Sequence, residues 1–212
     1  YNAYTIQLVA SRGETESIRN INKSLGIFRL KGPWSEEFVQ AAGRTLTLDD
    51  VEHRILRHDF TEPRVHFAMS FGAMSGPRLR SEAYSGPMLD EQLEDQARTF
   101  IHESAKNRVD TARYTVYLSP VIARYRADFG ESNETLARFL AEYYPPGPEK
   151  RFLTPPKRVP PPLVVVTSPD SANPKKSDSS QNNAQQRRRQ QFYFLRVVET
   201  PFDWALNIQK QP

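Results

Sequence analysis

With four histidines and no cysteine among 212 residues, the chain can form no disulfide, thiolate metal site or iron–sulfur cluster, and acid–base chemistry near neutral pH falls to imidazole. His66 is the first candidate. It follows Arg64 by two in RVHFAMS, whose alternation predicts a strand over 64–70, with Val65, Phe67 and Met69 on one face and Arg64, His66, Ala68 and Ser70 on the other. On an open sheet face beside the glycine-containing loop GAMSGP, such a histidine is a general base or substrate ligand, and Arg64 next to it can hold a carboxylate or phosphate. Hydrogen-bonded within the fold it is scaffold, and pattern alone favours that reading. His53 and Arg57, one helical turn apart, can reach the same strand together with Glu52, although solvated helix charges explain them equally simply. If a ligand binds, its expected place is where Arg64, His66, His53 and the 71–77 loop converge.

Other chemistries fail on spacing. His53 and His58 lie about 140° apart around a helix, so they cannot share a metal ion as an i, i+4 pair can. No G-x-G-x-x-G, Walker loop or H-E-x-x-H occurs. Gly72-Ala-Met-Ser75-Gly76 falls one residue out of step with a nucleophile elbow, which puts a single residue between glycine and serine. An ordinary turn is the simpler reading of Ser75. Neither a cofactor nor a metal is expected.

The elements that must position these residues can be read in turn. YNAYTIQLVA is helical, with Tyr1, Tyr4 and Leu8 on one stripe and Ala3, Ile6 and Val9 alongside. Thr47, followed three residues later by Asp50, starts a helix that carries Leu48, Val51 and Ile55 inward to about Arg57. LDEQLEDQARTFIHES is the strongest helix, with Leu89, Leu93, Ala97 and Phe100 on one face. YTVYL is a second strand, and Ser119-Pro120 caps a helix that Gly130 stops. Asn133 caps the next, which Pro145 ends, and FYFLRVV is a third strand leading to PFDWALN. The expected fold class is α/β (or α+β): about five helices around a small sheet centred on 64–70, joined by 114–118 and 193–198, over one core.

Charge and proline separate a further segment. Residues 155–191 hold seven basic side chains against Asp170 and Asp178, a net +5 that leaves −1 for the rest of the chain. Ten of the seventeen prolines fall between Pro145 and Pro174, and SDSSQNNAQQRRRQQ after them has almost nothing to bury. Residues 155–191 are therefore expected to be a disordered, low-complexity insertion within a single domain spanning 1–212. Arg187 to Arg189 have no interleaved aromatic residue to stack on bases, so a nucleic-acid partner is not expected. Ser168-Pro169 and Thr154-Pro155 are candidate sites for proline-directed phosphorylation. No apolar run approaches a membrane span.

Six words in order, YNAYTIQLV, LTLDDVEHRILR, EPRVHFAMSFGAMSGPRL, LDEQLEDQARTFI, VYLSPVIARYRADFG and FDWALN, together resemble the family catalogued as domain of unknown function 547. The resemblance implies a domain without a securely assigned activity, joined elsewhere to leucine-zipper, signalling or glutaredoxin-like regions. It also implies that Asn2, Arg64 and His66 sit at family positions and can form a binding pocket. Family members commonly carry cysteines where this chain has Phe71 and Gly76, so any thiol chemistry of a papain-like or transglutaminase-like kind has lost its nucleophile here. The leading expectation is a non-catalytic binding or scaffolding module of a larger intracellular, multidomain protein, with protein partners or flanking domains. The alternative is a hydrolase or transferase using His66 with Ser70 or Ser75.

Overall fold

The computed structural model describes residues 1–22, 32–113, 115–154 and 196–206. The insertion proposed at 155–191 and the strand residues 193–195 lie outside them. Helix α1, Asn2–Ser11, buries Thr5 and Leu8 and leaves Ile6 exposed. A short hairpin follows, β1 (Val39–Ala41) pairing antiparallel with β2 (Arg44–Leu46). Its turn residues Ala42 and Gly43 have φ of 50° and 72°, the mirror-image geometry that matches strand twist and for which glycine supplies the second position. Tyr4 ties the hairpin to α1 by donating its hydroxyl to Gln40 O at 2.6 Å.

The helix start expected at Thr47 is present as a reciprocal pair: Asp50 N donates to Thr47 Oγ1 at 2.9 Å and Thr47 N to Asp50 Oδ2 at 3.0 Å. The helix that follows is a wide π-helix, Asp50–Leu56, with Arg57 N bonded to Glu52 O, before a last turn α2, Arg57–Asp59. Wide turns of this kind change which side chains face inward, and here Glu52 is 3% exposed.

The strand expected at 64–70 is instead a single helical turn, α3 (Val65–Ala68), with Met69 N bonded to Val65 O at 3.0 Å. Pro63 precedes the turn, where its missing N–H costs nothing. Val65 and Met69 share a face at i, i+4 as readily as at i, i+2, so seven residues could not separate the two periods. α3 packs on α4 (Leu89–Ile101), and Phe67 stacks between Phe100 and Phe129 at centroid distances of 5.1 and 5.2 Å.

β3 (Arg108–Asp110) and β4 (Thr115–Leu118) form an antiparallel pair, and β5 (Arg196–Glu199) adds parallel to β4. The 64–70 segment is therefore no part of this three-stranded sheet. Ser119 accepts from Val121 N to cap α5 (Pro120–Arg124), and α6 (Arg126–Phe129) ends at Gly130 as expected. α7 (Asn133–Tyr143) is capped one residue earlier than read, by Ser132, and α8 (Pro148–Leu153) follows the prolines that looked like a stop. Mixed helices and small sheets make the fold; among the described residues the α-helices of five or more residues are α1, α4, α5, α7 and α8, beside the seven-residue π-helix. Buried apolar side chains fall into two groups, one around Phe67, Phe100 and Leu140 and one around Leu8, Ile18 and Leu48, with Tyr1 packed against both.

Candidate functional site

The turn α3 sends its two candidate residues to different carboxylates. Arg64 grips Glu62 through Nε and Nη2 at 2.8 and 2.6 Å, and Nη2 also donates to Asp90 Oδ1 at 2.8 Å. The hydrogen bonds to Glu62, ahead of the cost of partial burial, raise its pKa further, so it is a paired, permanently charged clamp between α3 and the start of α4. His66 turns the other way and is 1% exposed. Its Nε2 lies 2.7 Å from Asp128 Oδ2 on α6. Asp128 is held in turn by Arg57, Nε to Oδ2 at 2.7 Å and Nη2 to Oδ1 at 2.9 Å, and Arg57 Nη1 meets His53 Nδ1 at 3.1 Å. The structure thus joins His53, through Arg57 and Asp128, to His66, and leaves Arg64 outside that chain.

Burial pushes the His66 imidazole down to about 4, although Asp128 favours its charged form. The bond from Arg57, with a smaller contribution from His66, holds Asp128 at about 2. Near neutral pH the ring is therefore neutral beside an ionised carboxylate, which assigns the proton to Nε2. That tautomer makes Nδ1 an acceptor, and among the described residues Nδ1 is buried without a hydrogen-bond partner. The ring lies flat on Tyr125, 3.9 Å between centroids at 12°, with Phe129 at its edge.

Asn2 is brought to the next segment. Its Nδ2 donates to Ala68 O at 2.9 Å and its Oδ1 accepts from Ser70 N at 2.8 Å, fixing the backbone as it leaves α3. The 71–77 loop is fixed from another side: Met74 N donates to Ala205 O, and Ser75 Oγ accepts from Asp203 N at 2.7 Å. Gly72 sits at φ 66°, where its hydrogen faces Ile18. Phe71 is buried against Tyr125 and, edge-on, Tyr1.

Phe71 and Tyr125 also wall a pocket of about 380 Å³, shared with Trp34, Phe202 and Trp204. Asp49, Glu52 and Glu199 supply its acids and Arg124 its one cation. His66 is not in the lining, and the Tyr125 ring covers it. Burial first, and then the neighbouring Glu52 carboxylate, push the Tyr125 phenol well above its ordinary range. Among the described residues Glu52 Oε1 is buried with no hydrogen-bond partner, as is the Tyr1 hydroxyl, which burial and then the Glu52 charge also push up. Trp34 meets Trp204 edge-on at 5.6 Å, and Arg19 lies 5.0 Å above the Trp204 ring. Among the described residues, no cluster of three or more histidines and carboxylates could hold a metal ion.

Sequence reasoning reached His53, Glu52 and Arg57 as neighbours but missed Asp128, Tyr125 and the tryptophans. Asp128 carries no motif; its only signal is its place beside Phe129 on a short helix whose Tyr125–Phe129 face is apolar. The tryptophans are 170 positions apart, and only the return of β5 to β4 brings the second one near the first.

No curated protein and no solved structure matches the chain. Among the described residues no helix is long and apolar enough to cross a membrane. The words VYLSPVIARYRADFG and FDWALN, which extend the sequence resemblance toward residue 207, lie beyond the stretch that a family model matches. Residues 1–101, which carry α1, the Glu52 turn, His66, Phe71 and α4, match the model of the family described as Protein of unknown function, DUF547.

Proposed function

We propose that this chain is a non-catalytic binding or scaffolding module of a larger, multidomain intracellular protein, one domain over 1–212 with an insertion at 155–191, whose ligand site is the pocket beneath Phe71. The observation that carries the reading is the stacking of Tyr125 on His66 at 3.9 Å, which separates the buried His66–Asp128 pair from the pocket that a ligand could enter. Phe71, where relatives commonly carry a cysteine, adds an apolar wall to that cavity in place of a nucleophile. Ser75, the loop hydroxyl, already accepts a backbone N–H.

One observation favours the alternative, a hydrolase or transferase of loosely papain-like or transglutaminase-like type. His66 has Asp128 orienting one ring nitrogen while the other is unpartnered, the arrangement a nucleophile's base requires. The two separate by covalent labelling. Fluorophosphonate and epoxide probes, applied to the 212-residue chain and to His66→Ala, are expected to label neither protein above a heat-denatured control. Labelling of the wild type that disappears in the variant would establish the alternative.

A further inference from the structure

The pocket beneath Phe71 pairs aromatic walls with more acids than cations in its lining. Asp49, Glu52 and Glu199 outnumber Arg124 in its lining, and none of these four makes an ion pair with an Arg or Lys, or an acid, among the described residues. Asp49 has only a hydrogen bond from Ser35, at 2.6 Å. Arg124 is exposed, whereas Glu52 is 3% exposed and stands at the inner end of the acidic set. A buried carboxylate oxygen without a hydrogen-bond donor is costly. Among the described residues the cationic candidate within 4 Å, His53 Nδ1, is 3.8 Å from Glu52 Oε1 and already meets Arg57. Aromatic faces add an attraction of the same sign, because the ring quadrupole draws cations and repels anions. Trp204 shows this within the fold, since the Arg19 guanidinium rests over its ring at 5.0 Å.

We propose that this pocket binds an organic cation, a guanidinium or alkylammonium group, with Glu52 as its counter-ion and the Trp34, Tyr125 and Trp204 rings as its walls. This rests on the reading of the chain as a binding module and names the ligand class of the same site. A cavity of 380 Å³ readily admits a group of amino-acid side-chain size. Phosphate and carboxylate ligands meet three acids and are disfavoured. The ligand's cation displaces water from the rings and lies in the field of the Glu52 carboxylate, which acts on it through space because Oε1 itself is closed to solvent, while its remainder lies toward the exposed Glu199.

The chain provides its own reporter, because its only two tryptophans, Trp34 and Trp204, both line the pocket. Intrinsic fluorescence of the full 212-residue chain is titrated with methylguanidinium chloride, tetramethylammonium chloride and sodium propionate, with sodium chloride at matched ionic strength as the blank. A saturable change with one or both cations and none with propionate is expected, and the stronger of the two cations identifies a guanidinium or an ammonium ligand. In Glu52→Gln the apparent affinity is expected to fall by about tenfold, and in Glu199→Gln by about twofold, since that carboxylate is exposed and screened. Circular dichroism of each variant separates lost binding from lost folding. If Glu52→Gln unfolds, Glu199→Gln and the ligand order still decide. Absence of a saturable change with either cation, an unchanged response in folded Glu52→Gln, or saturation by propionate overturns the inference. Saturation by propionate would leave the binding-module reading standing, whereas His66-dependent covalent labelling would remove that reading whatever the titration shows.

Discussion

At the residue scale, His66 is neutral near pH 7 but a weaker base than acid–base work at that pH calls for. A base works best when its pKa lies near the operating pH, and burial drives this imidazole down to about 4. The linkage sign follows from that shift. An unfolded histidine titrates near 6.5 and the folded one near 4, so between these values the unfolded chain binds the extra proton and stability is lost as pH falls. Above pH 6.5 the effect vanishes. The loss between pH 7 and pH 5 amounts to about 2 kcal/mol. Thermal melts of the wild type and His66→Gln at both pH values are expected to show a smaller pH-dependent drop in the variant, which is less stable at pH 7 because Asp128 and Tyr125 lose their fitted partner. Equal pH dependence in the two proteins would mean that His66 is not buried neutral.

At the element scale, termini and turns were legible where one side chain caps one backbone group, and illegible where periodicity had to decide over few residues. Thr47 with Asp50, Ser119 with Pro120, and Gly130 as a stop were all readable, because each satisfies orphaned helix-end groups by itself. The 64–70 segment failed because Val65 and Met69 suit one helical turn as well as a strand. The β1–β2 hairpin was missed because its strands are three residues long and Ala42 occupies a left-handed position usually taken by asparagine, aspartate or glycine. Gly130 is the most exacting of these positions. Its φ is 146°, and a Cβ there would lie 2.4 Å from Thr135 Oγ1 and 3.0 Å from Leu136 N. Thr135 is half of the reciprocal cap with Ser132 that starts α7. Gly130→Ala therefore combines strain with a broken cap and is expected to cost about 3 kcal/mol, against about 1 kcal/mol for Ser132→Ala. Urea unfolding of both variants checks the ranking, and a Gly130→Ala loss no greater than that of Ser132→Ala would show that the α6–α7 corner can relax.

At the scale of the whole molecule, the last described residues tie together pieces that are remote in sequence. β5 pairs with β4, Thr200 N bonds Leu118 O at 2.9 Å, Asp203 and Ala205 hold the 74–75 loop, and Leu206 N reaches Glu16 O at 2.8 Å. Ser17 Oγ donates to Trp204 O at 2.8 Å. The pocket exists because this strap lays Phe202 and Trp204 across Trp34 and Tyr125, a long-range closure that no local pattern in the sequence encodes. The fold class and the helical face of α4 were legible because they rest on local periodicity and residue type. The separation of His66 from the pocket was not, because it depends on Tyr125 arriving from an element nearly sixty residues later. That separation is the centre of the account, and the ring nitrogens of His66 report on it directly. In a long-range ¹H–¹⁵N spectrum of the full chain followed from pH 8 to pH 4, His66 is expected to show one neutral Nε2–H tautomer that begins to protonate only near the bottom of the range. A His66 ring that titrates between pH 6 and pH 7, or exchanges between tautomers at neutral pH, would contradict the account and restore this histidine as a working base.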